Sequence, residues 1–214
     1  MRLDSIQVGQ SRTYGVQDAE DSAERPWTSA IRKDPVLGPV WAGREGLSGD
    51  HQYDRRHHGG PERALLMYSA DHYPLWRAEW GRKDLGPGGF GENLTVIGLT
   101  EDTVCLGDVF RIGEVRIEVS SPRTPCSNLA RRHGIPDLVG TIVRNHRSGW
   151  YLRVLSEGWV EAGMEVMLAD RPYPQWTVRR TAEVKRLRTE LREDARLLAA
   201  CPALQPEWRR RLRE

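Results

Sequence analysis

Residues 108–120 read DVFRIGEVRIEVS, and the spacing of apolar residues within them decides the fold class. An apolar run ends at a turn, Gly113-Glu114, after which Val115, Ile117 and Val119 alternate with Arg116 and Glu118. Alternation at every second residue turns one face of a strand to a core and the other to water, so the stretch predicts a β-hairpin. Outward from it, Ile6 and Val8 flank Gln7 in the same way. Residues 150–160 (WYLRVLSEGWV) predict another strand with its turn at Ser156-Glu157-Gly158, and Val166 and Leu168 a last one. Residues 69–80 (SADHYPLWRAEW) predict a helix with Ser69 as its N-cap. Strands so numerous and so irregularly spaced predict a β-barrel rather than βαβ repeats.

The end of the chain is different. Val184, Leu187, Leu191 and Leu198 recur at helical spacing among Arg and Glu, and Pro206 stands where a final short helix would begin. All 21 glycines lie before Asp170. Residues 175–214 hold 11 basic and 6 acidic side chains, a local +5, whereas residues 1–174 hold 21 and 24, a local −3. A boundary in DRPYPQW, with its two prolines, therefore separates a mainly β domain at 1–170 from a small helical extension at 171–214. The leucine stripe and interspersed Glu make the basic tail a helical bundle with a solvated face rather than an arm for nucleic acid.

A chain of 214 residues suits one domain of about 100–200 residues plus a small appendage. No stretch approaches the ~18 apolar residues of a membrane span, and the start, MRLDSIQVGQSRTYG, has no apolar signal segment. Three cysteines, Cys105, Cys126 and Cys201, without a CxxC exclude a zinc ribbon and a thioredoxin-type motif. A reduced, cytoplasmic protein is expected.

Two segments concentrate chemistry. SPRTPCSNL (121–129) follows the hairpin directly, and two prolines stiffen the turn that presents Cys126. A thiolate is the reactive form of cysteine, a cation such as Arg123 would stabilise it, and it is a natural soft ligand for a sulfur-rich metal centre. The bland alternative is a small buried hydrophobe, the reading preferred for Cys105 and Cys201. GDHQYDRRHHGGPERAL (49–65) gathers Asp50, Asp54, Arg55, Arg56, His57, His58 and Arg63 around a flexible Gly59-Gly60-Pro61 turn. His51, His57 and His58 lack the helical i, i+4 spacing of a metal pair. Gly amides, imidazoles and Arg forks converging on a phosphate are the alternative, beside a merely solvated loop. Gly86, Gly88 and Gly91 spell GxGxxG, but no strand precedes them and no helix follows, so the dinucleotide fingerprint is rejected. These glycines are expected to let the backbone pass close to a bulky ligand.

Taken together and in order, GLSGDHQYD (46–54), HHGGPERAL (57–65), GFGENLTVIGLTE (89–101), GDVFRIG (107–113), PRTPCSNL (122–129) and Gly149-Trp150 resemble the MOSC domain, the molybdenum cofactor sulfurase C-terminal domain. The similarity runs from about residue 29 to 165, and the helical tail looks like that of the YiiM-like group. The resemblance implies a β-barrel that binds a molybdopterin-type molybdenum cofactor, with Cys126 as the protein ligand to molybdenum. It implies reduction of N-hydroxylated compounds, hydroxylaminopurines and amidoxime-like molecules, with electrons from an external reductase. His58, Gly59 and Gly60, with Arg55 and Arg63, would hold phosphate and pterin; Asn93 and Arg123 would complete the ring around the metal, and Lys33 is a further phosphate contact. His58 and Asp50 are the candidate proton donors, since imidazole titrates near neutrality and a buried carboxyl can be tuned upward. Where members often have a Thr-Gly pair before the Ile, this chain reads Thr28-Ser29-Ala30-Ile31. The alternative is a carrier of the cofactor or of its sulfur that turns over no small molecule.

Overall fold

The computed structural model describes residues 1–21, 24–54 and 59–214. The chain opens with β1 (Arg2–Val8), β2 (Arg12–Tyr14), β3 (Trp27–Ser29), β4 (Asp34–Pro35), β5 (Val40–Gly43) and β6 (Gly46–Leu47). A 3-10 turn (Pro61–Arg63) leads into β7 (Leu65–Ser69), α1 (His72–Trp80) and β8 (Leu94–Ile97). The predicted hairpin is β9 (Val109–Ile112) and β10 (Val115–Pro122). After it come α2 (Ser127–His133), α3 (Leu138–Asn145), β11 (Trp150–Ser156), β12 (Gly158–Val160) and β13 (Met167–Asp170). The tail is α4 (Val178–Arg186), α5 (Arg192–Ala200) and α6 (Pro206–Arg213).

One mixed sheet of eight strands, ordered β13-β9-β10-β11-β7-β8-β1-β4, curls into a half-barrel. The start of β1 is tied to the segment just ahead of β13, where Leu3 N–H donates to Met164 O and Val166 N–H to Met1 O, both at 2.9 Å. In the hairpin, Val115 faces Ile112 across the turn and the inward residues Ile112, Val115, Ile117 and Val119 are fully buried. β10 keeps going to Pro122, beyond the alternation, because both its edges are paired or covered there and Ser120 and Ser121 find buried partners. Ser120 Oγ donates to Glu62 O at 2.6 Å, and Gln205 of the tail reaches Ser121 Oγ.

Within the half-barrel β7 and β8 are parallel, and α1 makes the crossover between them. Three expectations need correcting. Ser69 ends β7 instead of capping α1, whose cap position is Asp71; the Ser69 hydroxyl accepts the Asp71 N–H at 3.3 Å. The turn at 156–158 hands the chain to a second sheet, β12-β5-β6, because Gly158–Val160 pair with Ala42–Val40 and not with β11. The apolar series of the tail is split, since Leu187 and Leu191 lie at the close of α4 and the start of α5, with a turn between them.

The tail shares the main core. Val178, Val184, Leu198, Leu204, Trp208 and Leu212 belong to the same apolar cluster as Ile117, Val119 and Leu152 of the half-barrel. Polar ties add to this: Arg153 of β11 bonds Glu62 at 2.6 Å and Ala203 O at 2.8 Å. Leu198→Ala is therefore expected to cost about 2–5 kcal/mol and to shift one unfolding transition of the whole chain. A separate early transition in a calorimetric scan, with the remainder unmoved, would show instead that the tail folds by itself. A second, aromatic cluster (Tyr68, Tyr73, Trp76, Phe90) fills the space between α1, the glycine-rich loop and α2. Among the described residues no helix is long and apolar enough to cross a membrane.

Candidate functional site

β10 delivers its chain end to a cleft. Past Pro122 the Arg123 N–H donates to Gly149 O at 3.0 Å, which fixes the loop against the start of β11. Cys126 stands in extended backbone (φ −116°, ψ 163°) at the cap of α2, half-buried, and its thiol lines the cleft. Thr28–Ile31 and Lys33 form the facing wall; Asp50, Arg63, Asn93 and Arg123 also line a volume of about 190 Å³. The cleft shares Asp54, Arg63, Cys126 and Tyr151 with a neighbouring cavity of about 270 Å³.

Lys33 and Asp50 form a buried ion pair, with side chains only 8% and 3% exposed. Asp50 is fully engaged: one carboxylate oxygen takes the Lys33 ammonium and the Gly9 N–H (2.7 Å), and the other accepts Asn93 Nδ2 (2.9 Å). Burial pulls the Lys33 ammonium down, against the opposing pull of Asp50. Asn93 also accepts the Leu66 N–H at 3.1 Å, so the amide locks β8 to β7 beside the cleft. Asp50 thus acts as an acceptor that joins three segments beside the cleft.

Arg123 is 5% exposed, and its Nη1 has no hydrogen-bond partner among the described residues. A guanidinium N–H withheld from water without an acceptor is costly, and an anion in the cleft would relieve that cost. Arg123 also bonds the buried phenol of Tyr151. Burial pushes Tyr151 up, while the Arg123 and Arg63 guanidiniums hold it back. Arg63 lies over the Tyr151 ring (5.9 Å to the centroid) and is held by Gln205 at 3.0 Å and by Glu207, both from the tail.

Of the sequence candidates, Lys33, Asp50, Arg63, Asn93, Arg123 and Cys126 come together in this cleft. Arg55 and His58 lie outside the described residues, as do Arg56 and His57. Gly59 and Gly60 do not line the cleft: the Gly60 N–H donates to Gln52 Oε1 (3.1 Å), and a Cβ on Gly59 would meet the same oxygen at 2.3 Å. They press Gln52 into place, and Gln52 does line it. In the glycine-rich loop Gly91 lines the cleft, as expected of a close backbone approach, and the loop is also packed tightly against the facing wall. A Cβ on Gly91 would meet Ile31 Cγ1 at 2.8 Å, and one on Gly88 the Lys33 carbonyl at 3.0 Å. Buried Glu92 gathers that loop, accepting the Gly88 N–H (2.7 Å), the Phe90 N–H (3.0 Å) and the Tyr73 hydroxyl. In place of a Thr-Gly pair, Ser29 Oγ accepts the Ile31 N–H at 3.1 Å. Sequence reasoning missed Tyr151, Gln52 and Glu92; only the adjacency of Tyr151 to Gly149-Trp150 and of Glu92 to Asn93 pointed toward them.

Among the described residues no three or more His, Cys, Asp or Glu side chains are grouped to hold a metal ion. Cys126 is the thiol that lines the cleft; Cys105 and Cys201 are buried elsewhere, and burial pushes both thiols up. The family model of the MOSC domain matches residues 54–167. The chain belongs to the MOSC domain family. Domains of this family are associated with the molybdenum cofactor. This MOSC chain is 40% identical over 146 residues to "Protein YiiM" of Escherichia coli, which covers 67% of this chain and 65% of that one. A protein of Gibberella moniliformis named "Reductase" is 41% identical over 180 residues, 83% of this chain and 31% of the other. The crystal structure of YiiM from Geobacillus stearothermophilus superposes with a TM-score of 0.82 at 32% identity, covering 99% of this chain and 97% of that one. The MOSC chain spans less than two thirds of the length of each of these curated relatives.

Proposed function

We propose that this protein binds a molybdenum-bearing pterin cofactor through Cys126 and reduces N-hydroxylated bases and amidoxime-like compounds. The observation that carries the reading is the pairing, in one cleft, of a soft thiol with a buried guanidinium whose Nη1 lacks an acceptor among the described residues. That donor set suits an anionic, sulfur-rich metal centre that arrives with its own ligands, and a relative named "Reductase" supports reductive chemistry. When bound, such a cofactor supplies the two electrons required for R–NHOH + 2e⁻ + 2H⁺ → R–NH₂ + H₂O.

The chain's own residues do the rest. Cys126 ligates the metal, Arg123 and Lys33 neutralise charge on the cofactor, and Arg63 stacks on Tyr151 at its border. Asp50 and Asn93 position Lys33 and the wall that carries it. We assign proton donation to His58, as the sequence motif suggests, and electron supply to an external reductase. The test is molybdenum analysis and a hydroxylaminopurine reduction assay on protein from a cofactor-competent host. About one molybdenum per chain with turnover is expected; protein that takes up no molybdenum even on reconstitution with fresh cofactor would overturn the reading. Bound molybdenum without turnover, with persulfide on Cys126, would replace it with a carrier.

A further inference from the structure

On the far side of the loop that presents Cys126 lies a second cavity, of about 530 Å³, between α3, α4 and α6. Arg123, Thr124 and Pro125 form its floor, so the loop has the cofactor cleft on one flank and this cavity on the other. Its charge is one-sided: Lys185, Arg186, Arg188 and Arg211 line it together with Arg123, against the single carboxylate of Glu214, which Arg210 holds at 3.8 Å. Arg211 is paired with Glu207 at 2.5 Å. Lys185, Arg186 and Arg188 have no carboxylate within 4.0 Å among the described residues.

Lys185 is the informative one. It is half-buried, its ammonium sits 3.7 Å from the centroid of the Trp208 ring, and it donates to Thr124 Oγ1 at 3.3 Å. Among the described residues this half-buried cation is held by a hydroxyl and an aromatic face, and it has lost water without a carboxylate in direct contact. Burial, with Arg211 next in effect, pushes this ammonium down to about 8. An anion in the cavity would relieve both penalties. Lys185, Thr124, Arg211 and Cys126 also line one common cavity of about 270 Å³, which joins the thiol to the basic pocket. Thr124 and Cys126 are two residues apart, at most about 7 Å along the chain. A small molecule that reacts beside the thiol would reach the basic pocket with its anion through this common cavity.

We propose that this pocket receives the phosphate of the substrate, and that the protein acts on N-hydroxylated nucleotides in preference to free bases. A phosphomonoester carries a charge near −2 at neutral pH and three strong acceptors, which match converging Lys and Arg donors. The flanking Pro125, Ile142, Val143 and Trp208 offer apolar surface to the rest of the molecule. The proposal rests on the reading of the Cys126 cleft as a reductive centre.

Calorimetric titration of the full chain with adenosine 5′-monophosphate, adenosine and inorganic phosphate tests it without need of turnover. The monophosphate should bind about tenfold or more tighter than adenosine, equivalent to about 1.4 kcal/mol. Lys185→Gln, or the exposed charge reversal Arg188→Glu, should bring the two ligands to within about threefold. Arg192→Gln, at an exposed cation of α5 that lines neither cavity, should keep the preference. Equal binding of monophosphate and adenosine would overturn the proposal. So would a preference kept in both Lys185→Gln and Arg188→Glu, which would place the anion elsewhere. Inorganic phosphate binding as tightly as the monophosphate would show general anion attraction and would also overturn it. Turnover by the molybdenum-loaded protein separates the two readings. Equal turnover of N-hydroxyadenosine and its monophosphate would remove the pocket's role and leave the reductase. Turnover of neither, with the Lys185-dependent binding preference intact, would remove the reductase and leave the phosphate site.

Discussion

Cys126→Ser is expected to lose molybdenum and N-hydroxy reduction together while the protein stays folded. Oxygen for sulfur is nearly isosteric, and Cys126 lies outside both apolar clusters, so packing changes little. The chemistry changes a great deal, because a serine hydroxyl is a hard donor that stays protonated near neutrality whereas a thiolate is soft and readily formed. Loss of an outer-shell partner of a metal typically costs about 10–100-fold, and loss of the ligand itself should exceed the upper figure. Cys201→Ser is the control. That thiol is packed in the main core, and a hydroxyl in its place should cost about 1–3 kcal/mol of stability while molybdenum is retained. Elemental analysis, turnover and urea denaturation on the two variants give the comparison. A Cys126→Ser protein that keeps its metal and rate would remove Cys126 from the centre.

Asp50→Ala is expected to have the largest effect on stability. The substitution strands the Lys33 ammonium, 8% exposed, and leaves the Gly9 N–H and Asn93 Nδ2 without their acceptor. Breaking one side of a buried ion pair typically costs about 3–5 kcal/mol, since the remaining charge keeps its desolvation penalty. Removing both charges in Asp50→Ala/Lys33→Met should recover a large part of that loss. Urea titration followed by tryptophan fluorescence measures both. A single-variant loss under about 1 kcal/mol, or a double variant no better than the single, would mean that the pair is solvated and that Asp50 does not organise the wall.

The half-barrel was legible where one strand face meets water. Arg116 and Glu118 point outward between Val115, Ile117 and Val119, and that contrast is what periodicity detects. It vanishes in β7, where all five residues of Leu65–Ser69 are buried, and with it the signal for the βαβ unit. The site shows the same division. Cys126, Arg123 and Asn93 stand within short motifs and could be named in advance. What could not be read was which partner each would meet. Asp50 is 43 residues from Asn93 and 17 from Lys33, and only the folded chain makes it an acceptor for both. Gly88 and Gly91 signalled close approach, but local sequence says nothing of what approaches, which is the backbone and side chain of Ile31–Lys33. Nothing local in the sequence sets Lys185 apart from the other charges of the tail; the aromatic face over its ammonium is Trp208, on a different helix.

The tie between Leu3 and Met164 also bears on synthesis. β1 pairs with β4 and β8 early, but its last partners are the residues just ahead of β13. A nascent chain therefore holds its first strand with one ladder unfinished until nearly the whole half-barrel has been translated. Contacts of such sequence separation slow folding and prolong the exposure of a strand edge that can capture another chain. Emergence of the segment around Met164 from the ribosome is thus the step at which the start of β1 gains its last backbone partners.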